Sequence, residues 1–227
     1  SIIHSKYYSS ENDLIIVSSD SEEYLSIADD FGAIPHKRPE ELAKDETFTE
    51  PVMEEVLENY KIDTNDIVIL LQPTSPIRKK DTIKQFINVL ENKDCDSVLT
   101  LSSYHGFLWQ DEGGYKVPLY SNRPRRQDME ARYSETGSMY GTKYQNFLNT
   151  SNRISGRIKG IEVSFEESLE VDTPEEFEVI KSYFKKSTVE WEGYFWKLIV
   201  LILMVLFVQS QLKTIALLVL TRIELNK

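Results

Sequence analysis

The sequence predicts an α/β fold in which a mostly parallel sheet is covered by helices on both faces. Two patterns carry that expectation. Apolar runs closed by polar residues, at 13–20, 66–72 and 96–101, read as buried strands, and segments with helical apolar spacing stand between them. Strand and helix therefore alternate, as a parallel sheet requires. With 227 residues, 41% of them hydrophobic, the chain can build one well-buried domain plus an appendage.

Residues 2–8 read as the end of a helix. The run Asp13-Leu14-Ile15-Ile16-Val17-Ser18-Ser19-Asp20 gives the first strand. A helix follows at once: Ser21 or Asp20 caps it, Glu22 and Glu23 suit the positive end of its dipole, and Gly32 stops it after Leu25, Ala28 and Phe31. Residues 33–35 allow a short strand. The polar stretch 36–49 behind them exceeds the usual length of a connection, which leans towards a functional loop. Thr49 is placed to cap the next helix, with Pro51 close behind and Val52, Met53, Val56, Leu57 and Tyr60 as its apolar stripe. A helix start of this kind offers free N–H groups to a phosphate.

The organising stretch is Ile67 to Leu71, five apolar residues in succession, with Gln72-Pro73-Thr74-Ser75-Pro76 directly behind. The prolines remove two backbone donors and fix φ, so Gln72, Thr74 and Ser75 are held in place. Ligands of open α/β sheets bind at the carboxyl ends of such strands. The turn is thus a candidate site, although an ordinary strand-to-helix turn has the same pattern. Asp81 then reads as the cap of a helix over 82–92, whose Ile83, Phe86, Ile87 and Leu90 share one face.

From 102 to 127 the pattern loosens into an irregular arm or hairpin. It ends in Arg123, Arg125 and Arg126, whose planar guanidiniums suit carboxylate or phosphate but equally form a solvated patch. Gly137 and Gly141 stand among aromatics, which signals close backbone approach, either to a ligand or in packing. Thr173, Pro174 and Glu176 spell a capping box at the start of the last helix, which Phe177, Ile180 and Phe184 bury. If residues 169–172 are extended, Glu170 and Asp172 project to one side, two carboxylates placed for Mg²⁺. Favourable interaction with the helix dipole explains the same acids without a metal.

A formal charge of −11, from 26 basic and 37 acidic side chains, argues against nucleic-acid binding and requires a local basic cluster for any anionic substrate. The lone Cys95 excludes an internal disulfide and a Cys-based zinc site, which fits a reducing, cytoplasmic setting. Beyond residue 186 the composition shifts. Residues 198–208 form an unbroken run of eleven apolar residues and 215–220 a second one. A membrane span needs roughly 20. Joined, the two runs reach 23 residues but enclose Lys213, two glutamines and a serine. The tail, residues 187–227, is expected to be helical, either as a membrane anchor or as a buried or oligomerising helix, unless it is an unselected extension.

Together these motifs resemble the CMP-sialic acid synthetases, the N-acylneuraminate cytidylyltransferase family. The resemblance covers about residues 1–184. It rests on Asp13-Leu-Ile-Ile-Val-Ser-Ser-Asp20, Arg38-Pro-Glu-Glu-Leu-Ala-Lys-Asp45, Leu70-Leu-Gln-Pro-Thr-Ser-Pro-Ile-Arg78, Arg125-Arg-Gln-Asp128 and Glu170-Val-Asp-Thr173, in the family's order. It implies a Rossmann-like nucleotidyltransferase over residues 1–186, dimeric through the arm, that moves CMP from CTP to a nine-carbon 2-keto sugar acid. It implies that Arg38, Thr47 and Thr49 hold CTP, that Glu170 and Asp172 bind Mg²⁺, and that Gln72 touches the sugar, with Asp172 and Gln72 as the catalytic pair. Arg125 and Arg126 are added to the substrate contacts by inference. Set against the family pattern, the sequence is expected to lack the Gly/Arg/Lys-rich phosphate loop ahead of Ser1, and it carries Glu170 in place of the usual Asp and Thr136 in place of an Asn. A truncated, non-catalytic homologue tethered by its tail is the competing expectation.

Overall fold

Side-chain alternation along one strand sets up the whole core. The protein is described here by a computed structural model covering residues 1–6, 8–92, 94–186 and 215–220. Its first half runs α1 (Ile2–Lys6), β1 (Leu14–Ser19), α2 (Glu22–Asp30), β2 (Ile34–Lys37), α3 (Thr49–Asn59), β3 (Ile67–Leu71) and α4 (Lys80–Glu91). Then come β4 (Ser97–Tyr104), β5 (Trp109–Glu112), β6 (Tyr115–Pro118), β7 (Arg132–Lys143), α5 (Tyr144–Thr150), β8 (Ile158–Glu162), α6 (Pro174–Lys186) and β9 (Ile215–Leu220).

All five residues of β3 are buried, and successive side chains point to opposite faces. Ile67, Ile69 and Leu71 join one core with Ala28 of α2 and Ile83, Phe86, Ile87 and Leu90 of α4. Val68 and Leu70 join the other with Val52, Met53, Val56 and Leu57 of α3 and with Tyr144 and Phe147 of α5. Each fully buried side chain of this size contributes about 1.5–3 kcal/mol relative to exposure. The two layers explain why the strand sequences read as continuous apolar runs.

The main sheet has the order β2-β1-β9-β3-β7-β4-β8. β1 and β2 pair in parallel, as do β4 and β8, while β7 and β9 run antiparallel to both of their neighbours. The sheet is therefore mixed, with β1, β2, β3, β4 and β8 sharing one direction. Gly141 of β7 admits α4: a Cβ there would stand 2.6 Å from Leu90 and 2.7 Å from Phe86. The arm expected after residue 102 contains the two-stranded hairpin β5-β6. α6 packs through Ile180 against Ile77 and Val171, and its capping box forms as expected, with Glu176 N–H donating to Thr173 Oγ1 (3.3 Å) and Thr173 N–H to Glu176 Oε2 (2.9 Å).

Some expectations need correcting. Asp81 lies inside the first turn of α4 rather than capping it, because the helix begins at Lys80 and Lys79 holds the cap position. Lys79 is fixed there from outside, its N–H donating to Glu167 (2.9 Å). Thr49 is the first residue of α3, with Phe48 in the cap position. Residues 169–172 form no sheet strand. The largest difference concerns residues 215–220, which the composition assigned to a helical tail. They form β9, paired with β1 from Leu14↔Val219 to Ser18↔Ile215 and with β3 from Ile67↔Leu220 to Leu71↔Ala216. Hydrophobicity alone does not distinguish a buried strand from part of a buried helix; length does, and six residues suit a strand. The run at 198–208 lies outside the described residues. Among those described, no helix is long and apolar enough to cross a membrane.

β9 supplies hydrogen-bond partners to both β1 and β3, so its backbone donors cannot be lost cheaply. Leu217, opposite Ile16 and Leu70, tests this. Leu217→Pro should lower stability in urea unfolding by about 1–3 kcal/mol for each buried carbonyl left unpaired.

Candidate active site

The carboxyl ends of β1 and β3 carry the polar groups. At the end of β1, Arg38 is buried at 2% exposure. Its N–H donates to the Ser19 carbonyl (2.9 Å), its Nε to Ser18 Oγ (3.3 Å) and its Nη2 to the Ser18 carbonyl (2.9 Å). Burial draws the guanidinium's pKa down, and the charges of Asp20 and Glu55 oppose that shift. Glu55 also pairs with His36 Nε2 at 2.9 Å. Thr49 opens α3, and Thr47 stands in the preceding turn, its N–H donating to Lys44 (3.1 Å). Glu50 in the same first turn pairs with Arg153, which lies 4.6 Å over the Tyr140 ring. The start of α3 is thereby tied to β7.

At the end of β3 the turn is rigid, as its two prolines suggest. The Gln72 N–H reaches the Ser138 carbonyl (3.3 Å), and the Thr74 carbonyl accepts from the Val171 N–H (2.9 Å). That second bond brings the segment bearing Glu170 and Asp172 against the turn. Ser75 is fully buried, and its hydroxyl donates to Glu170 Oε1 (3.3 Å).

Gly137 marks the meeting point. Its φ is +65°, and a Cβ there would stand 1.8 Å from Glu170 Oε1 and 2.9 Å from Gln72 Oε1. The carboxylate and the amide thus converge beside the one residue that has no side chain to exclude them. The two glycines singled out in the sequence have different tasks: Gly137 serves this cluster and Gly141 serves packing. Glu170 has its pKa raised, first by burial and then by the neighbouring charge of Asp172. Asp172 is exposed, and its N–H donates to Glu176 Oε2 (2.9 Å).

Among the described residues, no group of three or more His, Cys, Asp or Glu gathers as a cation cage. The pair Glu170 and Asp172 nevertheless fits Mg²⁺, which commonly uses one or two carboxylates together with substrate phosphates. A carboxylate kept partly dry beside a second one is relieved by a cation.

The structure brings Gln72, Ser75, Glu170 and the Asp172 segment together, with Arg38 at the end of β1, on the far side of β9. Arg125 and Arg126 stand apart on the exposed arm. Arg125 pairs with Asp128 at 2.5 Å, and Arg123 lies 4.4 Å over the Phe107 ring. No hydrogen bond joins these arginines to Gln72, Glu170 or Asp172 among the described residues. Thr136 also faces away: its hydroxyl donates to Thr100 Oγ1 (2.7 Å) inside the sheet. Two contributors escaped the sequence reading. Arg78 lies within a motif that was recognised without giving it a role, and Glu167 sits in an acidic run indistinguishable from a solvated surface.

An open α/β sheet with its polar cluster at the strand ends is the frame of a nucleotidyltransferase. A solved CMP:2-keto-3-deoxy-manno-octonic acid synthetase in complex with CTP shares this fold, with a TM-score of 0.57 over 82% of this chain and 87% of its own, at 13% identity. The chain belongs to the cytidylyltransferase family, whose pattern it matches over residues 2–196. N-acylneuraminate cytidylyltransferase of Streptococcus agalactiae is 28% identical over 169 residues, 72% of this chain and 40% of the relative. N-acylneuraminate cytidylyltransferase A of Danio rerio is 30% identical over 134 residues, 56% of this chain and 31% of the relative. The chain thus spans well under half the length of these relatives.

Two outcomes test the cluster. Gly137→Ala should cost about 1–3 kcal/mol in unfolding experiments, because the left-handed backbone becomes strained, and it should displace Glu170 and Gln72. Glu170→Gln should act in the opposite direction on stability. A raised carboxyl pKa means that the folded chain binds the proton more tightly, so the ionised group destabilises the fold once pH exceeds the ordinary carboxylate range. In EDTA at pH 7 the Glu170→Gln chain should therefore unfold at higher urea than the parent, and the difference should vanish as pH falls below that range.

Proposed function

We propose that this chain transfers CMP from CTP to the anomeric hydroxyl of a nine-carbon 2-keto sugar acid of the sialic type. The single observation carrying the proposal is the convergence of Gln72, Ser75 and Glu170 beside Gly137 at the carboxyl end of β3, in a chain of the cytidylyltransferase family. A neutral amide that both donates and accepts suits a hydroxyl-rich substrate, whereas a carboxylate alone would repel a sugar acid.

In this reading Arg38, Thr47 and Thr49 serve the nucleotide at the end of β1 and the start of α3, and Gln72 orients the sugar acid. Asp172 and Glu170 would hold Mg²⁺, which, when bound, neutralises charge on the phosphate oxygens. Attack of the anomeric oxygen on the α-phosphorus breaks the bond to the β-phosphate, so pyrophosphate leaves and the hydroxyl proton passes to solvent. The protein's own task is to align the two reactants, since in-line phosphoryl chemistry depends on positioning and charge more than on covalent catalysis. Glu170, partly buried and bonded to Ser75, would be the more rigidly held of the two carboxylates, and Asp172 is exposed to solvent. Homodimer formation through the arm of β5 and β6 belongs to the same proposal.

Pyrophosphate release from CTP and Mg²⁺, measured across a panel of nine-carbon 2-keto acids, is the test. Release is expected with a sialic-type acid and should fall by about 10²-fold or more in Asp172→Asn, the loss of several kcal/mol of charge stabilisation. Silence across the panel, or full activity of Asp172→Asn, would overturn the reading.

A further inference from the structure

One cation buried behind the cluster is not used by the chemistry just proposed. Arg78 follows the Gln-Pro-Thr-Ser-Pro turn and is 6% exposed. Its Nη2 donates to two carbonyls at once, that of Gln72 at 2.6 Å and that of Ser138 at 2.8 Å. The first belongs to the turn that carries the amide, and the second adjoins Gly137. A single nitrogen thus fixes the distance between the two backbones that meet at the site.

The third segment is tied to the same point. Glu167 is 4% exposed, and its charge acts favourably on Arg78. Its Oε1 accepts the N–H of Lys79, the next residue, at 2.9 Å, and its Oε2 accepts Ser164 Oγ at 3.2 Å. Glu167 stands three positions before Glu170 on the strip that Val171 pins to Thr74. Gln72, Gly137 and Glu170 therefore reach the cluster from three chain segments: Arg78 bonds to the backbone of the first two, and Glu167, a member of the third, accepts the N–H of Lys79 beside Arg78. Burial draws the Arg78 pKa down to about 9, and Glu167 opposes that shift, so the guanidinium stays charged at neutral pH. An apolar residue could fill this space more cheaply if packing were the only requirement, since desolvating two charges is costly. A planar donor that reaches two carbonyls in fixed directions does what packing cannot.

We propose that Arg78, supported by Glu167, is a positioning residue: it sets the spacing between Gln72, Gly137 and Glu170 without touching substrate. The inference rests on the proposed function for its kinetic consequence and on the hydrogen bonds alone for its structural one.

The experiment uses the full chain with Arg78→Lys, which keeps the charge but loses the planar fork, and with Glu167→Gln, which keeps the acceptor for Lys79 but loses the charge. Misplacement of the reacting groups should lower kcat by about 10–10²-fold in Arg78→Lys. The KM for CTP should change much less than kcat, because Arg38, Thr47 and Thr49, which are assigned to the nucleotide, lie at β1 and α3 and only the metal ligand Glu170 is shared. Glu167→Gln should show a smaller loss with the same split, and it decides the matter if Arg78→Lys does not fold. Hydrogen exchange supplies a readout independent of turnover: amides of 72–79 and 134–140 should exchange faster in the variants, with β1 unchanged. A kcat within twofold of the parent, or a CTP KM that rises in step with the loss, would overturn the proposal. If the parent chain itself showed no turnover, the proposed function would fail alone. Localised faster exchange would then support the clamp, and unchanged exchange would overturn it.

Discussion

A bulge in β7 is the constraint on which the site depends. β4 and β7 pair in register at Leu99↔Tyr140 and again at Leu101↔Glu135, so Thr100 alone stands opposite Thr136, Gly137, Ser138 and Met139. The hydroxyl of Thr100 holds the excess chain in place. It accepts the Met139 N–H (3.1 Å), donates to the Met139 carbonyl (3.4 Å) and accepts the Thr136 hydroxyl (2.7 Å). Buried polar groups must be paired, and here one side chain satisfies groups that a regular ladder would have satisfied itself. The bulge turns Gly137 towards Glu170 and Gln72 and aims the Ser138 carbonyl at Arg78. Bulges are a common way to re-aim a strand beside a functional site. Without this one, Gly137 would be an ordinary ladder residue and the carboxylate would have nowhere to sit.

The parts legible in the sequence were those whose cause is local. β1, β3 and α4 announce themselves by apolar runs and by spacing, and the Thr173–Glu176 capping box by residues three apart. Gln72 and Ser75 were legible as a stiff turn because proline acts on its own neighbours. What stayed hidden was non-local. Nothing near Thr136 announces that its hydroxyl pairs with a residue 36 positions away, and nothing in Phe165-Glu166-Glu167-Ser168 separates the buried Glu167 from its solvated neighbour. The two glycines of β7 illustrate the boundary. The sequence marks both as places of close approach, but only the fold decides that Gly141 meets Phe86 and Leu90 whereas Gly137 meets the acid and the amide. Asp81 and Thr49 were misplaced by a small shift at a helix end, the least certain feature of any sequence pattern.

The charge distribution gives the cluster its character. The chain carries −11 overall, and Glu170, Asp172 and Glu176 gather at one strand end. An anionic ligand approaching them meets repulsion unless a cation is shared between protein and ligand. Arg78 cannot serve, because its Nη2 is engaged by backbone carbonyls behind the cluster. Arg38, bonded to Ser18, lies at the end of β1, separated from the cluster by β9. In the arm, Arg125 pairs with Asp128 and Arg123 lies over Phe107. The Glu170 pKa is raised by burial first and by the charge of Asp172 second, so a positive charge added beside it relieves the ionised carboxylate. In the proposed chemistry, a divalent ion brought with a polyphosphate would resolve both problems at once.

The place of β9 links these elements. It lies between β1, whose end is occupied by Arg38, and β3, whose end bears Gln72. Two strand spacings, about 10 Å, therefore separate the two polar strand ends, a gap that suits two ligands side by side rather than one small one. The gap has a constant width only while a strand fills it, because β1 and β3 run in the same direction and pair with each other only through β9. A segment whose composition suggested a helical tail thus sets the distance between the two halves of the proposed reaction.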